Sequence, residues 1–107
     1  MIETEQAVEN AEAICSTPGL TGIYVGPSDL AISMGEGPGL DRGPGKVYDA
    51  IQHVLTTAKA SGIRAGLHCM DPDYIKNVRM WFDFASLSND VRLLTQVVTS
   101  QINAVRS

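Results

Sequence analysis

Apolar residues along this chain follow two alternating rhythms, short continuous runs and longer stretches with a spacing of three or four. From about Thr4 to Cys15, Ala7, Val8, Ala11, Ile14 and Cys15 fall at helical spacing, with acids in the first turn, so one helix is expected there. "TGIYVG" is a β-branched and aromatic run between glycines and reads as a buried strand over Gly22–Val25. Ser28 or Asp29 then offers a cap for a short helix through Met34. "KVYDAIQHVLTTAKASG" puts Val47, Ala50, Ile51, Val54, Leu55 and Ala58 on one face and predicts a four-turn helix stopped by Gly62. "IRAGLHC" is the next strand. "DPDYIKNVRMWF" opens a helix with Asp71 as cap and Pro72 at the first helical position. "DFASLS" is a further strand, and "NDVRLLTQVVTSQINAVRS" a last amphipathic helix capped by Asn89 or Asp90.

Met1 and Ile2 read as the end of another strand, so the order is β then α, repeated. Such alternation predicts an α/β fold, a parallel sheet with right-handed crossovers. Three full strands and a strand stub make an open sheet or half of a TIM-type (β/α)8 barrel. A complete barrel takes about 200 residues or more, and 107 residues fit a single domain over 1–107. Between Gly35 and Gly45, "GEGPGLDRGPG" breaks the rhythm with a long loop, a length more typical of a functional or mobile segment than of a plain linker.

Composition narrows the function classes. With 44% apolar and 19% charged residues the chain is globular in type, and a net charge of −4 gives no basic footprint for nucleic acid or an anionic membrane. No apolar run approaches the length of a membrane span, and the first ten residues carry acids where a secretory leader has lysines and an apolar core. Two cysteines, Cys15 and Cys69, lie in different elements without a disulfide-scaffold spacing, as expected of reduced thiols in a cytoplasmic protein.

In parallel βα folds, functional groups collect at the carboxyl ends of the strands. Glu3 follows the strand stub and Asp29 follows the next strand, which sets them at the ends of neighbouring strands about 4.8 Å apart. Two carboxylates so placed suit a hard divalent cation, which takes oxygen ligands and leaves other positions to water and substrate. Gly26 and Pro27 let the backbone turn sharply, and amides near Ser28 and Asp29 offer an anion site. An acid after a strand equally serves as a helix cap, and Glu3 equally complements a helix dipole. His68 and Cys69 are adjacent on a strand and point to opposite faces, which argues against a nucleophile–base pair. His53 reads as a surface residue of a helix. Met34, Met70 and Met80 read as packing residues, and Asp71, Asp73, Asp83 and Asp90 as caps and turn residues.

Together "MIET", "AVENAEAI", "GIYVGPSDLAISMG", "GLHCMDPDY" and "FDFASLSNDVRLL" resemble the HpcH/HpaI aldolases, metal-dependent 2-keto-acid aldolases related to citrate lyase β-subunits. The similarity runs in order over essentially the whole chain and matches the C-terminal half of the family's barrel. It implies that Glu3 of "IET" and Asp29 of "GPSDL" bind a divalent metal, Mg²⁺, Mn²⁺ or Co²⁺. It further implies that Gly26, Pro27, Ser28 and Asp29 hold the carboxylate of pyruvate or a related 2-keto acid. The chemistry implied is Lewis-acid catalysis of carbon–carbon bond cleavage. The family's catalytic His and its keto-contacting Arg belong to the N-terminal half, neither His53 nor His68 matches that motif position, and Trp81 stands where the family usually has Gly. No catalytic acid or base is therefore identified in this half.

Two readings follow. One is a 2-keto-acid aldolase, a lyase that needs a partner half, supplied by a separate chain or by the remainder of a longer enzyme. The other is a non-catalytic oligomeric half-barrel with residual or no metal and keto-acid binding. Either way a half-barrel exposes apolar surface that drives association, so a homo-oligomer is expected. Family members exchange their final helix between subunits, which marks residues 89–107 as a candidate swapped contact.

Overall fold

The computed structural model describes every residue from Met1 to Ser107. Three strands, β1 (Gly22–Val25), β2 (Arg64–Cys69) and β3 (Phe84–Leu87), form a parallel sheet in sequence order. Registry places Tyr24 opposite Gly66, Gly66 opposite Phe84 and His68 opposite Ser86. Ile2 adds the expected stub: its N–H donates to Tyr24 O (2.8 Å), and its carbonyl accepts from Gly26 N (3.0 Å).

Helices α1 (Glu5–Glu9), α2 (Ala11–Cys15), α3 (Pro27–Ser33), α4 (Lys46–Ala60), α5 (Pro72–Val78) and α6 (Asp90–Arg106) fill the crossovers. α4 buries all six residues that its periodicity selects: Val47, Ala50, Ile51, Val54, Leu55 and Ala58. They pack with Ile2, Ile23, Val25, Leu30, Ala65, Leu67 and Cys69 in one core on the α4 side of the sheet. Burial of this kind is the main favourable term in folding.

Three expectations are corrected and a fourth is extended. The helix expected over Thr4 to Cys15 is two helices joined at Asn10 (φ −94°, ψ 11°), because Asn is a weak helix former. Neither Ser28 nor Asp29 caps α3; Gly26 occupies the cap position, Pro27 starts the helix, and both polar residues lie inside the first turn. Met80 does not pack, being 79% exposed in the turn after α5. Asp83 does more than form a turn, since its carboxylate accepts from the Ala65 amide and from Arg64 (2.8 and 2.9 Å). By contrast, Asp71 and Asn89 cap α5 and α6 as expected, accepting from Asp73 N and Arg92 N. Trp81 does not prevent β3 from pairing along β2.

The Gly35–Gly45 loop is tied down from both ends. Asp41 accepts from the Met70 and Asp71 amides (both 2.8 Å), Arg42 donates to the Gly39 carbonyl (3.1 Å), and Tyr74 donates to the Arg42 carbonyl (3.0 Å). The loop thus folds over the carboxyl ends of β1 and β2.

On the sheet face away from α4, the Phe84 ring lies over Gly66 and stacks on Tyr24 (5.7 Å, 6° between planes). A Cβ on Gly66 would sit 2.0 Å from the ring, so residue 66 is glycine because the aromatic ring occupies the space. No helix is long and apolar enough to cross a membrane.

Candidate functional site

A cavity of about 560 Å³ opens at the carboxyl ends of β1 and β2. Its walls include Gly26, Ser28 and Asp29 on one side, Gly39 and Leu40 of the loop above, and Tyr24, His68, Met70 and Asn89 on the other.

The Glu3 carboxylate abuts this cavity at Gly26. A Cβ on Gly26 would lie 3.2 Å from Glu3 Oε2, so the missing side chain makes room for the carboxylate. Asp29 is exposed at the cavity wall, in the first turn of α3. The Ser28 and Asp29 amides, the first N–H groups of α3 after Pro27, have no hydrogen-bond partner. Ser28 Oγ accepts from Gly39 N (3.1 Å) and holds the loop over this end. Pro27 is fully buried at the start of α3 and does not line the cavity. Of the expected site residues, Gly26, Ser28 and Asp29 thus line one cavity, Glu3 touches its margin, and Pro27 shapes the turn.

No three His, Cys, Asp or Glu side chains gather anywhere in the chain. The carboxylates available are Asp29 in the cavity wall and Glu3 against Gly26 at its edge. An all-oxygen pair of this kind fits a hard cation that keeps waters or substrate oxygens in its remaining positions, and does not fit the three-or-four-ligand sites of zinc.

Sequence reasoning passed over a second group. Tyr24 OH, His68 Nδ1 and Ser86 Oγ, one from each strand, meet on the inner sheet face. His68 Nδ1 lies 2.7 Å from each hydroxyl, and the hydroxyls hydrogen-bond each other. The expected separation of His68 from Cys69 holds: Cys69 is fully buried on the opposite face, and burial, aided by the Asp41 charge, pushes its thiol up to about 12. Burial likewise pushes the Tyr74 phenol up to about 12. Neither group is a nucleophile at neutral pH. Ser88 also escaped the sequence reading. It is buried just past β3 at φ +54°, and its hydroxyl has no partner.

A family model for HpcH/HpaI aldolase/citrate lyase matches residues 1–96. The chain belongs to this family. A hydroxypyruvate/pyruvate aldolase of Rhizorhabdus wittichii is 33% identical over 108 residues, a match that takes in 100% of this chain and 43% of the relative. A 2-keto-3-deoxy-L-rhamnonate aldolase of Klebsiella pneumoniae is 29% identical over 99% of this chain and 39% of its own length. Among solved structures, an HpcH/HpaI family protein of Burkholderia cenocepacia superposes with a TM-score of 0.87 at 32% identity, over 99% of this chain and 41% of that one. The chain therefore spans about two fifths of the length of these HpcH/HpaI relatives. Its βα repeats are those of half of the family's TIM-type barrel, one of the two architectures the sequence pattern leaves open and the one the resemblance implies.

Proposed function

We propose that this chain is the metal- and keto-acid-binding half of a carbon–carbon lyase acting on pyruvate-type 2-keto acids. The single observation that carries the reading is the Glu3 carboxylate pressed against Gly26 at the edge of the cavity that Asp29 lines. Glu3 and Asp29 are the residues to hold a divalent cation, Mg²⁺, Mn²⁺ or Co²⁺. Such a cation supplies Lewis-acid polarisation of the keto group. The free Ser28 and Asp29 amides receive the substrate carboxylate beside it, as helix N-termini receive anions, while Ser28 Oγ keeps the loop closed over that end.

The family's catalytic His and keto-contacting Arg belong to the N-terminal half, so full activity needs that half of the barrel. That half comes from a separate chain or from the same longer protein, with residues 1–107 acting as one domain. The exposed apolar face of α6 supports assembly into a homo-oligomer, with α6 as the exchanged element. The cellular setting that fits this chemistry and two reduced, buried thiols is the cytoplasm.

The test is calorimetric titration with Mn²⁺, with and without pyruvate. Expected is metal binding strengthened by pyruvate and lost in Asp29→Ala and Glu3→Ala, joined by cleavage of a 4-hydroxy-2-keto acid once the missing half is supplied. Metal binding without cleavage in the completed barrel would support the non-catalytic half-barrel instead. A folded protein that binds no metal would end both the metal and the keto-acid reading.

A further inference from the structure

We propose that His68 is a ligand-binding residue of the same cavity, donating through Nε2–H to an oxygen on the distal part of an extended 2-keto acid, with Tyr24 and Ser86 as its positioning residues. The proposal rests on the keto-acid reading above for the occupant.

The tautomer follows from the hydrogen bonds. Two hydroxyls and one ring nitrogen stand in mutual contact. If Nδ1 carried the proton and donated to Ser86 Oγ, and Ser86 donated to Tyr24, the phenol proton would have no acceptor in the cluster. If Nδ1 accepts from Tyr24 and Ser86 donates to the Tyr24 oxygen, every proton is used. A phenol is also the strongest acid of the three and imidazole the strongest base. Nδ1 is therefore the acceptor, and Nε2 carries the hydrogen.

Nε2 has no partner within the protein, and His68 is one of the residues lining the cavity. The stack of Phe84 on Tyr24 limits movement of the phenol, so the donor is fixed before a ligand arrives. Asn89 lines the same wall with its Oδ1 committed to capping α6, which leaves its NH₂ as a second donor.

The position on β2 decides which ligand atom is met. The proposed carboxylate and keto end lies at Gly26–Asp29, beyond β1. His68 is one strand over, about 4.8 Å away in the sheet direction. It is therefore placed for an oxygen two or so carbons farther along the chain, the aldehyde or 4-hydroxyl oxygen of an aldol adduct. Its role is to recognise that oxygen, not to bind pyruvate.

The test uses two ligands of equal backbone in the presence of Mn²⁺. One is 2-oxopentanoate. The other is 4-methoxy-2-oxopentanoate, whose ether oxygen accepts a hydrogen bond but, lacking a hydroxyl proton, cannot be cleaved. The native protein is expected to prefer the methoxy acid by about three- to tenfold, the size of one hydrogen bond. His68→Phe should abolish the preference while leaving 2-oxopentanoate affinity within about twofold. Tyr24 and Ser86 still bond each other in that variant, so each hydroxyl keeps one partner. His68→Gln, which places an amide N–H near the Nε2 position, should restore part of the preference. On the native protein, ¹⁵N shifts of the His68 ring should report the Nε2–H tautomer, and Tyr24→Phe should mix the tautomers and weaken the preference. A preference that survives His68→Phe, or an Nδ1–H tautomer, overturns the proposal alone. Failure of the native protein to bind either acid overturns the keto-acid reading and this proposal together.

Discussion

α4 and α6 carry much the same sequence signal and meet opposite fates. α4 has its apolar residues at Val47, Ala50, Ile51, Val54, Leu55 and Ala58, all buried against the sheet. α6 has Val91, Leu94, Val98, Ile102 and Val105 on one stripe and buries none of them; Leu94 is 66% exposed and Val105 86%. The periodicity of a helix names the face that must be covered, but not the surface that covers it. For α4 the cover lies within this chain, whereas α6 projects from the body. The radius of gyration is accordingly 15.9 Å, against about 13 Å for a compact chain of this length.

The largest effect that tests this contrast is expected at α4. Ile51→Ala removes a side chain only 1% exposed and should cost about 2–5 kcal/mol in urea unfolding. A loss near that of a surface substitution would mean that the α4 face is not the anchor of the fold. Next comes the seam between the two regions, where β3 meets β2. Gly66→Ala drives a methyl into the Phe84 ring and should cost about 1–3 kcal/mol. Part of that cost should disappear when Phe84→Ala is added, a coupling readable in a double-mutant cycle.

Smaller still is the expected effect of Leu94→Lys on the dilute chain, within about 0.5 kcal/mol, because the side chain is already in water. On the homo-oligomer proposed above, the same variant should weaken self-association in sedimentation, an outcome that would make α6 the reverse of α4, neutral to folding and decisive for assembly. The least effect belongs to Asp83. The Ala65 N–H, then the Arg64 side chain, hold its carboxyl below the ordinary value of 3.8. A folded value below the unfolded one stabilises above the ordinary value, and that contribution is lost as pH falls through the folded value. Asp83→Asn should therefore lower stability slightly at neutral pH and leave it almost unchanged in acid below the folded value, which flattens the acid limb of the stability curve.

Most of the fold was legible in the sequence because its signals are local. Pro72 after Asp71 is a local helix-start signal, and the spacing of α4 needs no knowledge of the sheet. Local signals failed where neighbours compete. Asn10 breaks a helix that apolar spacing alone continues, and Gly26 takes the cap position because Pro27 is a better first helical residue than Ser28 or Asp29. Within the candidate site, Asp29 and Gly26 were legible from one short motif. The Tyr24–His68–Ser86 cluster was not, since 44 and 18 residues separate its neighbours and only strand register unites them. Asp41 was hidden in the same way: nothing in "GEGPGLDRGPG" says that its carboxylate will meet two amides past β2.

The Phe84 ring seated on Gly66 also limits how this protein can change over generations. Any side chain at position 66 collides with the ring, so that position stays closed to substitution while the phenylalanine remains. Once Phe84 shrinks, Gly66 is free to vary, but Tyr24 loses its stacking neighbour. Lineages of this sequence should therefore cross that part of sequence space in a fixed order, position 84 first and position 66 second, with position 24 drifting only afterwards.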